Sequence, residues 1–159
     1  MTYQFSTLTQ PQAETIAFTW HYEGDYAFYN MEADEADLAE FLDAEQRGPS
    51  VFAITSAGEL VGFVSVARTD DETLDIGLGM RPDLTGRGGG RAFLSSILDF
   101  IETTYAPRRI TLAVAAFNKR AIRLYETCGF KQTGSFQQPT NGSVYDFVRM
   151  ERKESPQNG

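Results

Sequence analysis

Met80-Arg81-Pro82-Asp83-Leu84-Thr85-Gly86-Arg87-Gly88-Gly89-Gly90-Arg91 carries an apolar segment up to a proline, then through a glycine-rich turn into a helix. Glycines 86, 88, 89 and 90 lack a Cβ, so the chain there can adopt unusual dihedrals and bring its amides close to a ligand. The residues that follow, 92–101, place Phe93, Leu94, Ile97, Leu98 and Ile101 on one stripe, which predicts a helix starting at the turn. The unpaired N–H groups of its first turn, the positive end of its dipole and the side chains of Arg87 and Arg91 would face any anion in the loop. The simpler alternative is a flexible surface turn. Two familiar phosphate loops do not fit. No Gly-Lys-Ser/Thr ending is present, and Arg91 stands where a dinucleotide fingerprint needs glycine.

Working outward, Thr73 to Met80 reads as a strand ending at Pro82. Before it, Val51–Thr55 and Leu60–Ala67 alternate as strands and are joined by Ser56-Ala57-Gly58-Glu59, a hairpin signal. After the helix, Arg109–Ala115 is a returning strand, so this stretch is a strand, helix, strand crossover. A helix from Asn118 to about Thr127 stops at Gly129, a strand runs from Phe130 to Gln132, and Asn141-Gly142 precedes a last strand from Ser143 to Glu151. At the other end, residues 3–6 suit a short strand, and Gln10 to Trp20 has helical spacing through Ala13, Ile16, Ala17 and Trp20. An aromatic loop separates it from a second helix over the acidic segment Glu32 to Glu45. The expected fold class is α/β, in the mixed α+β sense: a mixed, mostly antiparallel sheet flanked by helices.

With 159 residues, 42% of them apolar and 13% aromatic, the chain has the composition of one folded domain, placed at 1–152, with a disordered tail at 153–159. It contains no apolar run of membrane-spanning length, and its first residues lack the basic start and apolar centre of a secretory signal, so the expected location is cytoplasmic. A net charge of −8 disfavours a nucleic-acid partner and suits a cationic one. A single cysteine and a single histidine exclude an internal disulfide and a Cys/His metal cluster, so no metal is expected.

The second stretch with chemical content is Asn118-Lys119-Arg120-Ala121-Ile122-Arg123-Leu124-Tyr125-Glu126-Thr127-Cys128-Gly129-Phe130. Residues seven apart share a helix face, so Asn118 and Tyr125 lie on one line, two turns apart. Each also has a structural reading. Asn118 is a favoured N-cap, Tyr125 falls among Ala121, Leu124 and Cys128 on an apolar face, and Cys128 suits a small buried side chain.

Together, a strand running into X-Pro, a Gly-Arg-Gly-X-Gly turn opening a helix, and Asn-X-X-Ala-X-X-Leu-Tyr-Glu-X-X-Gly-Phe after the next strand resemble the GNAT superfamily of N-acetyltransferases. The likeness covers about Leu60 to Phe130 clearly and the closing strands more loosely. It implies the GNAT acyl-CoA N-acyltransferase fold, with acetyl-CoA as co-substrate and an amine as acceptor. It implies that the main chain of Leu78, Gly79 and Met80 holds the pantetheine arm and polarises the thioester carbonyl. Residues Thr85, Gly86, Arg87, Gly88, Gly89, Gly90 and Arg91 would hold the pyrophosphate, and Asn118 the pantetheine or phosphate part. Tyr125 would lie beside the sulfur as the general acid for the leaving thiolate. Two positions depart from the family pattern: Thr85 replaces a long side chain at the start of the loop, and Ala113 stands where members that acetylate protein N-termini often carry glutamate.

A protonated amine must shed a proton before it attacks. Asp75, Glu72, His21, Glu23 and Asp25 are the side-chain candidates for that base, and a water is the alternative. The loop Trp20–Tyr29 crowds aromatic rings around acidic groups, so Trp20, His21, Tyr22 and Tyr26, with Asp75, are the candidate acceptor-binding residues. The same rings would also serve as a small aromatic core. The competing function is a non-catalytic acyl-CoA sensor of the same fold, and the chain would act as a monomer or homodimer.

Overall fold

The structure, a computed structural model, describes residues 2–153. Of the expected tail, Lys153 closes the last strand, and 154–159 lie outside the described residues. The strands are β1 (Gln4–Thr7), β2 (Val51–Ser56), β3 (Glu59–Arg68), β4 (Thr73–Met80), β5 (Arg109–Ala115), β6 (Lys131–Thr140) and β7 (Ser143–Lys153). The helices are α1 (Gln10–Thr19), α2 (Glu35–Leu42), α3 (Ala44–Arg47), α4 (Gly90–Tyr105) and α5 (Lys119–Thr127). The strands form one seven-stranded sheet in the order β1-β2-β3-β4-β5-β7-β6, mixed and mostly antiparallel as expected. The chain folds as two compact units, one of residues 2–65, 78–89 and 139–144, the other of 66–77, 90–138 and 145–153.

In the first unit β1 pairs with β2 and β2 with β3, both antiparallel. Thr9 caps α1 through a reciprocal pair of bonds with Gln12, and Pro11 sits in the first turn, where its missing N–H costs nothing. Ala13, Ile16 and Trp20 then meet Leu8, Val51 and Ala53 in a buried cluster, with Phe41 and Phe63 packed against it. Each large apolar side chain buried this way stabilises the unit by about 1.5–3 kcal/mol. The acidic segment is not one helix. Asp43 has left the helical conformation, and its carboxylate accepts from the N–H groups of Glu45 and Gln46. It thereby ends α2 and caps α3, because a short carboxylate competes with the helix for main-chain donors. The aromatic loop is itself two 3-10 turns, Gly24–Tyr29 and Met31–Ala33.

In the second unit β4 runs parallel to β5, with Thr73 opposite Arg109 and Asp75 opposite Thr111, and β5 pairs antiparallel with β7 along its whole length. Helix α4 supplies the crossover between β4 and β5 and buries the predicted stripe, Phe93, Leu94, Ile97, Leu98 and Ile101. Strand β6 runs eight residues beyond the expected end at Gln132. It is the last strand of the sheet and mostly exposed, so its polar residues carry no apolar alternation to announce it.

Candidate functional site

The candidate residues fall in both units and are described unit by unit. In the first, β4 ends in Leu78, Gly79 and Met80, all half-buried. A Cβ on Gly79 would stand 2.4 Å from Cε1 of Phe63, so a bare backbone is required for this strand to pass over the ring. The Met80 carbonyl accepts the Tyr22 hydroxyl at 2.6 Å, and the Arg81 N–H donates to the Val61 carbonyl at 2.8 Å. The peptide joining Met80 to Arg81 is therefore held at both its polar groups. The Arg81 guanidinium folds back on Asp83 at 2.6 Å, and Pro82–Leu84 form a 3-10 turn.

The glycine-rich turn itself is exposed. Gly86 and Gly88 adopt φ of +71° and +82°, the left-handed region in which a side chain would be strained. The Thr85 hydroxyl donates to the Pro82 carbonyl at 2.7 Å, so it braces its own turn. The turn leads into α4 at Gly90, where the first amides of a helix have no partner within it. Those amides, the positive φ values and the exposed Arg87 and Arg91 suit a phosphate-bearing ligand.

In the second unit Asn118 is 9% exposed and caps α5, its side-chain oxygen accepting the Ala121 N–H at 3.1 Å. Tyr125, half-buried, sets its ring edge-on to Phe130 at 5.8 Å, and its carbonyl accepts the N–H groups of Cys128 and Phe130. Asn118 therefore has its capping role, while Tyr125 is half-buried against Phe130 and is not enclosed in the core. Asp75 accepts the Thr111 hydroxyl at 2.7 Å across β4 and β5.

The expected acceptor residues of the first unit do not share one environment. Trp20 is 5% exposed and belongs to the core, its ring 6.3 Å from Phe63, so it presents no surface to a ligand. His21 is exposed and sets Nε2 2.5 Å from Glu32. Tyr22 spends its hydroxyl on Met80, and burial pushes its phenol up from the ordinary value, keeping it a donor. Tyr26 is half-buried and stacks on Tyr29 at 6.5 Å. Asp34 and Asn141 form a further cluster that no motif in the sequence marks as a site. Asp34 receives the Asp37 and Asn141 N–H groups and the Thr140 hydroxyl, which together hold its carboxyl below the ordinary value. The only local signals were a capping residue before α2 and the Asn-Gly turn.

The acetyltransferase (GNAT) family profile matches residues 14–130. The chain belongs to the GNAT family of acetyltransferases. It is 35% identical over 71 residues to spermidine N(1)-acetyltransferase of Vibrio cholerae, a match covering 43% of this chain and 41% of that protein. It is 32% identical over 81 residues to [ribosomal protein bS18]-alanine N-acetyltransferase of Escherichia coli K12, covering 51% of this chain and 54% of that one. The chain thus aligns with about half the length of these curated relatives. In fold it is similar to the Vibrio cholerae spermidine N-acetyltransferase crystallised with CoA and spermine, with a TM-score of 0.74, 21% identity and 95% of each chain covered. A GNAT acetyltransferase of Bacillus anthracis gives the same TM-score at 19% identity, over 95% of this chain and 94% of that one.

The charge of this GNAT chain is unevenly spread. Nine of its 22 acidic residues lie within residues 21–46, a segment with no lysine or arginine, and the rest of the chain is close to neutral. The negative charge is concentrated on the 3-10 turns and on α2 and α3. Among the described residues no group of three or more His, Cys, Asp or Glu side chains could hold a metal ion, and no helix is long and apolar enough to cross a membrane.

Proposed function

We propose that this chain transfers the acetyl group of acetyl-CoA to a primary amine carrying more than one positive charge. The observation that carries the reading is the turn from Pro82 to Gly90, left-handed at Gly86 and Gly88 and opening into α4, in a chain of the GNAT family. The turn's main-chain amides, with Arg87 and Arg91, would hold the pyrophosphate. The main chain of Leu78 and Met80 would hold the pantetheine arm, with Asn118 as a further contact to the cofactor.

Acetyl-CoA supplies an activated thioester. The ammonium first loses one proton to water; the freed amine nitrogen attacks the carbonyl carbon, and as the new C–N bond replaces the C–S bond the nitrogen gives up a second proton, also to water. Tyr125 gives its hydroxyl proton to the leaving thiolate and is reprotonated from solvent. The charge distribution supports a polycationic acceptor. Nine carboxylates within 26 residues attract a multivalent ammonium compound more strongly than a singly charged peptide N-terminus, and the neighbouring rings add cation–π attraction. A spermidine acetyltransferase and a ribosomal-protein N-acetyltransferase both stand among the relatives, and the concentrated negative charge supports the first kind of acceptor over the second.

The test is thiol release from acetyl-CoA with spermidine, spermine, monoamines and a peptide bearing an N-terminal alanine. Release is expected to be fastest with the polyamines, with a KM that rises with ionic strength as the carboxylates are screened. Tyr125→Phe should lower kcat by about 10²–10⁴-fold. Release with the peptide alone would replace the polyamine reading. Tight CoA binding with no release to any amine would make the chain an acyl-CoA sensor.

A further inference from the structure

Tyr22 is a candidate acceptor residue by sequence, yet its polar atom is engaged with the main chain. Its hydroxyl donates to the Met80 carbonyl at 2.6 Å, 58 residues away, and its own N–H donates to Asn30 Oδ1 at 2.7 Å. Asn30 is in turn built into the join of the two 3-10 turns, its N–H bonded to the Ala27 carbonyl and its carbonyl to the Ala33 N–H, both at 3.0 Å. Tyr22 is therefore tied down at its backbone and at its tip.

The bond falls on the last peptide of β4. Beyond it Pro82 has no N–H to give, so the ladder cannot continue past Arg81. A carbonyl at such a strand end ordinarily takes water, and a water-bonded end frays. Here the phenol takes the carbonyl and Val61 takes the N–H of the same peptide. One residue upstream, the Phe63 ring leaves no room for Gly79 to move toward it. The strand end is thus fixed from the ring side, by the hydroxyl and by the ladder.

We propose that Tyr22 is a positioning residue, whose hydroxyl fixes the end of β4 so that the main chain of Leu78 and Met80 meets the thioester arm in one orientation. The role rests on the acetyltransferase reading above. It links the acidic aromatic segment to the cofactor strand through the hydroxyl, so Tyr22 acts on acetyl-CoA and not on the amine.

Tyr22→Phe removes only the hydroxyl. Hydrogen exchange at the Arg81 amide is expected to quicken about fivefold to tenfold, the range that one ordinary hydrogen bond supports. The kcat/KM for acetyl-CoA should fall by a similar factor, while the KM for the amine stays within twofold. A rise in amine KM alone would make Tyr22 an acceptor contact, and faster exchange with unchanged acetyl-CoA kinetics would make it merely structural. Either result overturns the proposal, as does an Arg81 amide that exchanges at the wild-type rate. If the wild type acetylates no amine, the acetyltransferase reading fails by itself, and Arg81 exchange together with the CoA dissociation constant decides the role of Tyr22. If Tyr22→Phe does not fold, 3-fluorotyrosine placed at position 22 keeps the ring and donates more strongly. It should slow Arg81 exchange, and no change would overturn the proposal.

Discussion

Asp34 accepts the main-chain N–H of Asn141 at 3.0 Å, across 107 residues of sequence. Its other oxygen caps α2 through the Asp37 N–H at 3.0 Å, and Asn141 in turn donates its side-chain amide to the Phe28 carbonyl at 2.8 Å. One carboxylate thereby joins the start of a helix to the turn between β6 and β7, and the turn to the aromatic segment.

This clasp should depend on pH. Hydrogen bonds to the charged form, that from Asp37 first, hold the Asp34 carboxyl below its ordinary 3.8. The stability it contributes is full above pH 3.8 and is lost as the pH falls below 3.8 through the folded-state value. Asp34→Asn should be less stable than the wild type at pH 7, and the difference should shrink in acid. Urea midpoints measured at both ends of that range check it. An equal difference at both would mean that the charge is not the source.

Gly79→Ala should destabilise the protein by about 1–3 kcal/mol, the usual range for overpacking. The new methyl would lie 2.4 Å from a Phe63 ring that is itself 5.6 Å from Phe41 and 6.3 Å from Trp20, so it has little room to turn. Denaturant unfolding gives the value. Adding Phe63→Leu should recover part of it, since residues in contact couple.

Asn118 has a capping role that can be separated from a cofactor role. Asn118→Ala should cost about 1 kcal/mol through the lost cap, whereas Asn118→Asp retains an acceptor for the Ala121 N–H and should leave thermal stability near wild type. If the amide also meets the cofactor, Asn118→Asp will raise the KM for acetyl-CoA while folding normally. Paired melting and kinetic measurements on the two variants distinguish the roles.

At alkaline pH the buried Tyr22 phenol resists ionisation. Its value is raised above the ordinary 10.0 by desolvation, so the unfolded chain loses this proton first. Below pH 10 the group adds no pH dependence, and above it stability falls as pH rises. Tyr22→Phe should therefore lose less stability than the wild type between pH 9 and 11, by up to about 1.4 kcal/mol per pH unit. Thermal melts across that range check the sign.

Much of the fold was legible because its signals are local. The alternation in β2 and β3, the Phe93 to Ile101 stripe of α4 and the Asn118 cap each depend on residues within a turn or two of one another. Two readings went astray for different reasons. The acidic helix broke at Asp43, whose carboxylate caps α3, and β6 carried on without apolar alternation because it lies at the edge of the sheet. Of the candidate acceptor residues, Trp20 was legible as aromatic, but its burial also draws on Val51, Ala53 and Phe63, thirty or more residues away.

By itself the sequence determined the glycine-rich turn, the helix it opens, the crossover it belongs to and the family likeness, since φ preference, helical period and capping are properties of neighbouring residues. Only the tertiary structure decided that Gly79 must be bare because of Phe63, that Tyr22 serves Met80 rather than solvent, and that Asp34 holds Asn141. Those relationships join residues far apart in the chain, and hydrogen-bond geometry and steric exclusion exist only once packing brings them within a few ångströms.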